Sequence, residues 1–271
     1  MCGIFAYLSY LTPTELDSVL ETLLNGLKRL EYRGYDSAGL AVDLNDFTHI
    51  LRSVGKVSNL EKVVAEFKKA KSTASLEKHV TTVAISHTRW ATHGAPCEKN
   101  AHPHSSNDAN EFSVVHNGIL SNYKDLKAFL LNNGYQFESD TDTEVIPKLL
   151  YHIYRNWEDK STLSFLNIVE QAVSQLEGSF ALAIKSSHFP GEIVGARRGS
   201  PLLVGIKASD SVTINHIPVS YSNQKSTRYR NDSFKIVKHS EELNLEAGSR
   251  GIEYFLSSDA RLVTDLLFEF H

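Results

Sequence analysis

Met1-Cys2-Gly3-Ile4-Phe5 opens the chain, and the meaning of its second residue decides which fold to expect. Methionine aminopeptidase removes Met before a small residue, which leaves Cys2 carrying both a thiol and a free α-amine. Their ordinary pKa values, roughly 8.5 and roughly 8, let both exchange protons near neutrality. One residue then supplies a nucleophile and its own general base, as a threonine activated by an N-terminal amine does. The bland alternative is a small buried hydrophobe opening an edge strand, the usual place of a cysteine read in isolation. What the other segments bring to Cys2 decides between them.

Working outward, residues 2–7 are rich in strand formers, which places Cys2 at the start of a strand. Thr12-Pro13-Thr14-Glu15 has the form of a capping box with Pro at the first helical position. Leu16, Val19, Leu20, Leu23, Leu24, Leu27 and Leu30 then form one helical face suited to packing on a sheet. The polar, glycine-punctuated stretch 30–39 reads as a structured loop running into a strand at 40–42. A second strand-like run, 49–54, ends at Gly55. Leu60, Val63, Val64 and Phe67 mark a solvated surface helix, and 79–85 reads as a strand. Further strands are expected at 112–116, 179–185, 193–197, 203–206 and 253–256. Helices are expected at 145–154 and 163–176. The signal weakens over 207–245, where 222–232 reads as an exposed insert.

Three polar segments are candidates for chemistry. Ser86-His87-Thr88-Arg89-Trp90-Ala91-Thr92-His93-Gly94, with Asn100-Ala101-His102-Pro103-His104 after it, is the densest. The spacing of His87, His93, His102 and His104 fits no zinc pattern, and neither cysteine stands at a ligand interval, so no metal is expected. A loop presenting Arg89 for bidentate carboxylate binding is the better reading. Asn117-Gly118 is the strongest short hairpin signal. The helical spacing of Tyr123, Leu126, Phe129 and Leu130 argues instead for a strand-to-helix junction, which can offer a side-chain amide and a bare N–H to an oxyanion. In Glu138-Ser139-Asp140-Thr141-Asp142-Thr143-Glu144, one Thr or Asp is expected to cap the next helix. A second Asp aimed into a cleft suits a substrate ammonium.

Together these segments resemble the N-terminal glutamine amidotransferase domain of the glutamine–fructose-6-phosphate aminotransferases. The likeness is carried by Met1-Cys2-Gly3-Ile4-Phe5, by the segments 30–39, 87–94, 100–104, 115–119 and 139–144, and by Arg197-Arg198-Gly199-Ser200-Pro201-Leu202. Cys2-Gly3-Ile4 alone would fit any class II glutamine amidotransferase. The segment 87–94 together with 198–202 resembles the sugar-aminating branch, as does Tyr254-Phe255-Leu256-Ser257-Ser258-Asp259. The resemblance implies an α+β fold, the four-layer α-β-β-α sandwich of the N-terminal-nucleophile (Ntn) hydrolases. It implies catalysis by Cys2 with Asn117 and the Gly118 N–H as oxyanion donors. It also implies a glutamine site in which Arg89 holds the α-carboxylate and Asp142 the α-ammonium. Trp90, Thr92, His93 and His102 line that pocket or its covering loop, and Arg33 fixes the site around Cys2.

The implied partner is L-glutamine, with fructose 6-phosphate entering only through sugar-isomerase domains beyond 2–271. A full-length aminotransferase is the protein partner to consider. The expected domain, 2–271, falls short of the family's glutaminase domain at its C-terminal end, where 265–271 leaves the family pattern. A truncated non-catalytic remnant or regulatory partner, and a plain amidohydrolase of the same fold, stay open as alternatives. No cofactor is expected. The 271 residues, 41% hydrophobic, suffice for one large core. A net charge of −4 with both signs interspersed argues against nucleic acid. No run reaches the roughly 20 apolar residues a bilayer requires. No basic region precedes the apolar run 4–11, so no signal peptide is expected. Two cysteines make no disulfide framework, which points to the cytoplasm.

Overall fold

The strand that begins beside Cys2, β1 (Gly3–Tyr10), is buried along most of its length. A computed structural model describes residues 2–45, 47–71, 78–79, 81–90, 94–207 and 252–262. After β1 come β2 (Thr14–Glu15), α1 (Leu16–Leu30), β3 (Ser37–Leu44), β4 (Phe47–Val54), α2 (Val57–Ala70), β5 (Lys78–His79) and β6 (Thr82–Arg89). The next group is β7 (His104–Ser105), β8 (Phe112–Leu120), α3 (Tyr123–Asn132), α4 (Val145–Arg155) and α5 (Phe165–Ser174). The described chain closes with β9 (Gly178–Ser186), β10 (Ile193–Arg198), β11 (Leu203–Lys207) and β12 (Ile252–Ser257).

Ten of these twelve strands form two antiparallel sheets, and β2 and β5 pair with each other. One has the order β11-β12-β1-β6-β3-β4, and the other β10-β9-β8-β7. Side chains alternate across β1 with period two. Phe5 and Tyr7 therefore face α1 and α2, where they meet Leu20, Leu23, Leu27 and Leu60. Ile4 and Ala6 face the other way and join Ala41, Ile85, Val115, Ala181 and Ala183 between the sheets. A third core lies under α3, α4 and α5, where Phe112, Val114, Leu182 and Ile184 meet Leu130, Leu149 and Ile168. The order is helix, sheet, sheet, helix, so the expected α+β sandwich is the observed one. The middle layer is rich in alanine, which lets the polar ends of β1, β6 and β8 come together.

Several local expectations need correcting. Thr12-Pro13-Thr14-Glu15 is not a capping box. Thr14 and Glu15 form β2, paired with His79 and Lys78 of β5. The Ser9 and Thr14 hydroxyls both donate to the Thr12 carbonyl at 2.9 Å, so they stabilise the turn rather than the helix. Glu15 stands at the N-cap of α1 with no side-chain cap. The strand expected at 79–85 is two strands, and the second runs on to Arg89, through residues whose polarity had suggested a loop. The loop expected at 30–39 gives way to strand at Ser37. The strand-to-helix junction expected at Asn117-Gly118 comes later, after Leu120, since β8 passes through the pair with Asn117 opposite Ala181 and Gly118 opposite Phe180 and α3 begins at Tyr123. No Thr or Asp caps α4, whose N-cap is Glu144. The insert expected at 222–232 and the tail 265–271 lie outside the described residues. Among the described residues, no helix is long and apolar enough to cross a membrane.

Candidate active site

Cys2 lies where β1, β6 and β8 converge. Gly3 makes this possible, since a Cβ there would press on Thr88 Oγ1 at 2.7 Å and on Leu30 Cβ at 2.9 Å. The next residue is clamped from the far end of the chain. Ile4 N–H donates to Ser258 Oγ at 3.0 Å, and Ser258 N–H donates to the Ile4 carbonyl at 3.1 Å. Arg33 holds this clamp, donating from Nη1 to the Ser258 carbonyl at 3.0 Å with Asp259 Oδ2 at 3.8 Å. The Tyr32 hydroxyl donates to the same Asp259 carboxylate.

The Cys2 sulfur accepts a hydrogen bond from Trp90 N–H at 3.3 Å. Burial pushes the thiol above its ordinary pKa. The Trp90 N–H and the Arg89 charge pull it back, and the Asp36 charge adds to the rise. Asn117, in β8, donates from Nδ2 to the Cys2 carbonyl at 3.2 Å. Gly118 follows with φ +127°, and a Cβ there would overlap the Ser179 carbonyl oxygen, so only glycine fits. Among the described residues, β7 pairs only with Ser113 and Val114, so from Val115 onward β8 has a described ladder neighbour, β9, on one side only. Asn117 thus meets Cys2, and Gly118 follows it, on a stretch of β8 that among the described residues is paired along one side.

Arg89 is 3% exposed at the end of β6. Its Nη2 donates to the Gly94 carbonyl at 3.0 Å, and its Nη1 lies 3.7 Å from Asp36 Oδ1. Trp90 is half exposed, and its ring packs so closely on Gly34 that a Cβ there would overlap it. Asp142 is buried and tied to β8, accepting from Leu120 N–H at 2.9 Å. The Thr143 hydroxyl, 2.9 Å from His116 Nδ1, also donates to Asp142 Oδ1 at 3.4 Å. Thr92 and His93 lie outside the described residues. His102 is 5% exposed and sits behind Asn117, with its Nδ1 3.0 Å from His87 Nδ1. The expected residues therefore divide by place. Trp90 and Asn117 touch Cys2, Gly118 follows Asn117 in β8 and Arg89 precedes Trp90, while Arg33 reaches the Ser258 clamp on Ile4, His102 reaches the His87 ring behind Asn117, and Asp142 is bound to Leu120 farther along β8.

Sequence reasoning missed His87, Asp36 and Ser258 as parts of the site. His87 is fully buried, with its Nε2 2.9 Å from Asn117 Oδ1. Its signal was the two-residue spacing to Arg89, which puts both on one face of a strand, and the strand had been expected to end at 85. Among the described residues, no group of three or more His, Cys, Asp or Glu is placed to hold a metal ion.

Residues 87–211 match the family model described as a glutamine amidotransferase domain. The chain is 45% identical over 279 residues to glutamine–fructose-6-phosphate aminotransferase [isomerizing] 1 of Rattus norvegicus. It is 43% identical over 276 residues to the [isomerizing] 2 protein of Homo sapiens. Each alignment covers 98% of this chain and 39% of the relative, so the chain spans about two fifths of the length of the relatives it matches. Among solved structures, glutamine phosphoribosylpyrophosphate amidotransferase of B. subtilis superposes with a TM-score of 0.57. That likeness has 19% identity and covers 96% of this chain and 42% of that one, and it speaks for the fold alone. The matched domain and the extent of the identity agree, and the chain is a glutamine amidotransferase domain of the kind found in the glutamine–fructose-6-phosphate aminotransferases.

Proposed function

We propose that this chain hydrolyses the side-chain amide of L-glutamine to glutamate and ammonia. Removal of Met1 frees the Cys2 α-amine, which takes the thiol proton, directly or through one water. The sulfur attacks the amide carbon, and the new oxyanion is held by the second N–H of the Asn117 amide and by the Gly118 N–H. The C–N bond breaks as the proton passes to nitrogen, so ammonia leaves and a γ-glutamyl thioester remains on Cys2. Water then attacks the thioester, giving glutamate and restoring the thiol. Arg89 receives the substrate α-carboxylate and Asp142 its α-ammonium, while Trp90 borders the pocket. The observation that carries this reading is the convergence on Cys2 of an amide donor at 3.2 Å from its carbonyl and a buried arginine adjoining its sulfur's partner Trp90.

In a protein that also carries sugar-isomerase domains, the ammonia would serve amination of fructose 6-phosphate to glucosamine 6-phosphate, toward UDP-N-acetylglucosamine. The names of the relatives support that assignment. A cytoplasmic location fits the two free thiols, Cys2 and Cys97. A glutamine-shaped affinity label, an α-amino acid bearing a γ-chloroketone, tests the site. It is expected to alkylate Cys2 and to be blocked by glutamine. Labelling confined to Cys97, or labelling that glutamine does not slow, would contradict the reading.

A further inference from the structure

The hydrogen bonds behind Cys2 have only one consistent polarity. A main-chain carbonyl accepts and cannot donate, so the Asn117 atom 3.2 Å from the Cys2 oxygen is the amide nitrogen. The amide oxygen therefore faces His87, and His87 Nε2, 2.9 Å away, must carry the ring proton. A neutral imidazole has one N–H, so His87 Nδ1 is an acceptor. The proton in the 3.0 Å contact between the two Nδ1 atoms then belongs to His102. Burial keeps both rings neutral. The ring planes are fixed by edge-to-face packing, with His87 and His102 centroids 4.2 Å apart at 80° and His102 and His104 4.8 Å apart at 85°.

We infer that His87, oriented by His102, is a positioning residue that keeps the Asn117 side chain turned with its NH₂ toward the nucleophile. The inference rests on the oxyanion role proposed above for Asn117. One amide hydrogen is taken by the Cys2 carbonyl, and the other stays available to the oxyanion only while the oxygen is held by His87. A flipped amide would set two carbonyl oxygens against each other and present a negative dipole to the developing charge. The His87 N–H excludes that state before substrate arrives, so the donor needs no reorientation during reaction.

The test uses the full chain with Met1 removed and measures kcat and KM for glutamine hydrolysis together with the rate of Cys2 alkylation by iodoacetamide. Asn117→Ala is expected to lower kcat by roughly 10²–10³. His87→Leu should lower kcat by about 10² while KM moves less than about threefold. Cys2 alkylation should be unchanged. His87→Gln, which keeps an N–H near the Nε2 position, should recover most of kcat. In an Asn117→Ala background His87→Leu should cost less than about twofold, because the group it positions is gone.

An undiminished effect of His87→Leu in that background would overturn the inference, as would loss of alkylation alongside turnover in both His87 variants. If the leucine variant does not fold, His87→Gln decides alone, and a kcat as low as that of Asn117→Ala would count against the inference. Unchanged kcat in Asn117→Ala would instead remove the oxyanion reading itself, and the role of His87 with it.

Discussion

At the scale of single residues, the charges around Cys2 oppose one another. Burial raises the thiol, the Trp90 N–H and Arg89 favour its thiolate, and Asp36 disfavours it. Replacing Asp36 with Asn removes a negative charge that destabilises a second one, so the thiol should ionise at lower pH. The pH at which iodoacetamide alkylation of Cys2 rises to half its maximum is expected to fall in Asp36→Asn, and a rise would contradict this account of the site. Gly118 offers a second test. Its positive φ and the Ser179 carbonyl behind it leave no room for a side chain, so Gly118→Ala should lose about 3 kcal/mol in urea unfolding. Stability within about 0.5 kcal/mol of the parent would show that this backbone is not strained. Cys2 and Arg89 were legible in the sequence because a thiol at a processed terminus and an arginine in a polar run each point to chemistry directly. His87 was not, because a buried histidine's role depends on which distant side chain lies 2.9 Å from it.

Elements were legible where periodicity alone defined them. Each apolar position read into the face of α1 is buried or packs against the core. Its beginning was misread because the Thr12 and Thr14 hydroxyls have local carbonyl acceptors in the turn, and the sequence pattern alone does not distinguish that use from a helix cap. β6 was cut short for a different reason. Ser86, His87 and Thr88 are polar yet fully buried, and Ser86 and His87 find their partners on other strands, Ser86 Oγ donating to the Phe5 carbonyl at 2.6 Å and His87 Nε2 lying 2.9 Å from Asn117 Oδ1. Polarity read locally means exposure, and here it means a network between sheets. Gly26 of α1 separates propensity from packing. Gly→Ala within a helix ordinarily gains up to about 1 kcal/mol, but a Cβ at Gly26 would overlap the Phe5 ring of β1. Gly26→Ala is therefore expected to destabilise by about 1–3 kcal/mol, read from the urea midpoint, and a gain in stability would show that α1 does not press on β1 as described.

Across the whole molecule, four histidines (His87, His102, His104 and His116) are buried together on the side of the inter-sheet layer that carries the site. Burial depresses the pKa of each, His87 to about 3, with Arg89 adding to the depression for the first three, Arg52 for His104, and Asp142 opposing it at His116. Their folded pKa values lie below the unfolded value, so the native state binds fewer protons than the unfolded chain in mild acid. Stability should therefore be full above the unfolded histidine pKa of roughly 6.5 and should fall as pH drops below it, by up to about 1.4 kcal/mol per pH unit for each histidine. The urea midpoint is expected to fall steeply between pH 6 and pH 5, and less steeply in His104→Asn. A midpoint flat over that window would contradict neutral burial. Asp140 and Asp159, held below the usual carboxylate range by hydrogen bonds from Lys99 and Ser161, act only in stronger acid. The sandwich was expected from the family resemblance, with which the amphipathic helices and buried strands of the sequence agree, whereas the convergence of β1, β6 and β8 on Cys2 is a property of strand order. The most direct measurement of the central claim is glutamate release from glutamine by purified protein whose mass spectrum shows Cys2 at the N-terminus, set against Cys2→Ala. The account predicts steady release that vanishes in the variant. No release from folded, Met-processed protein, or equal release from Cys2→Ala, would contradict it.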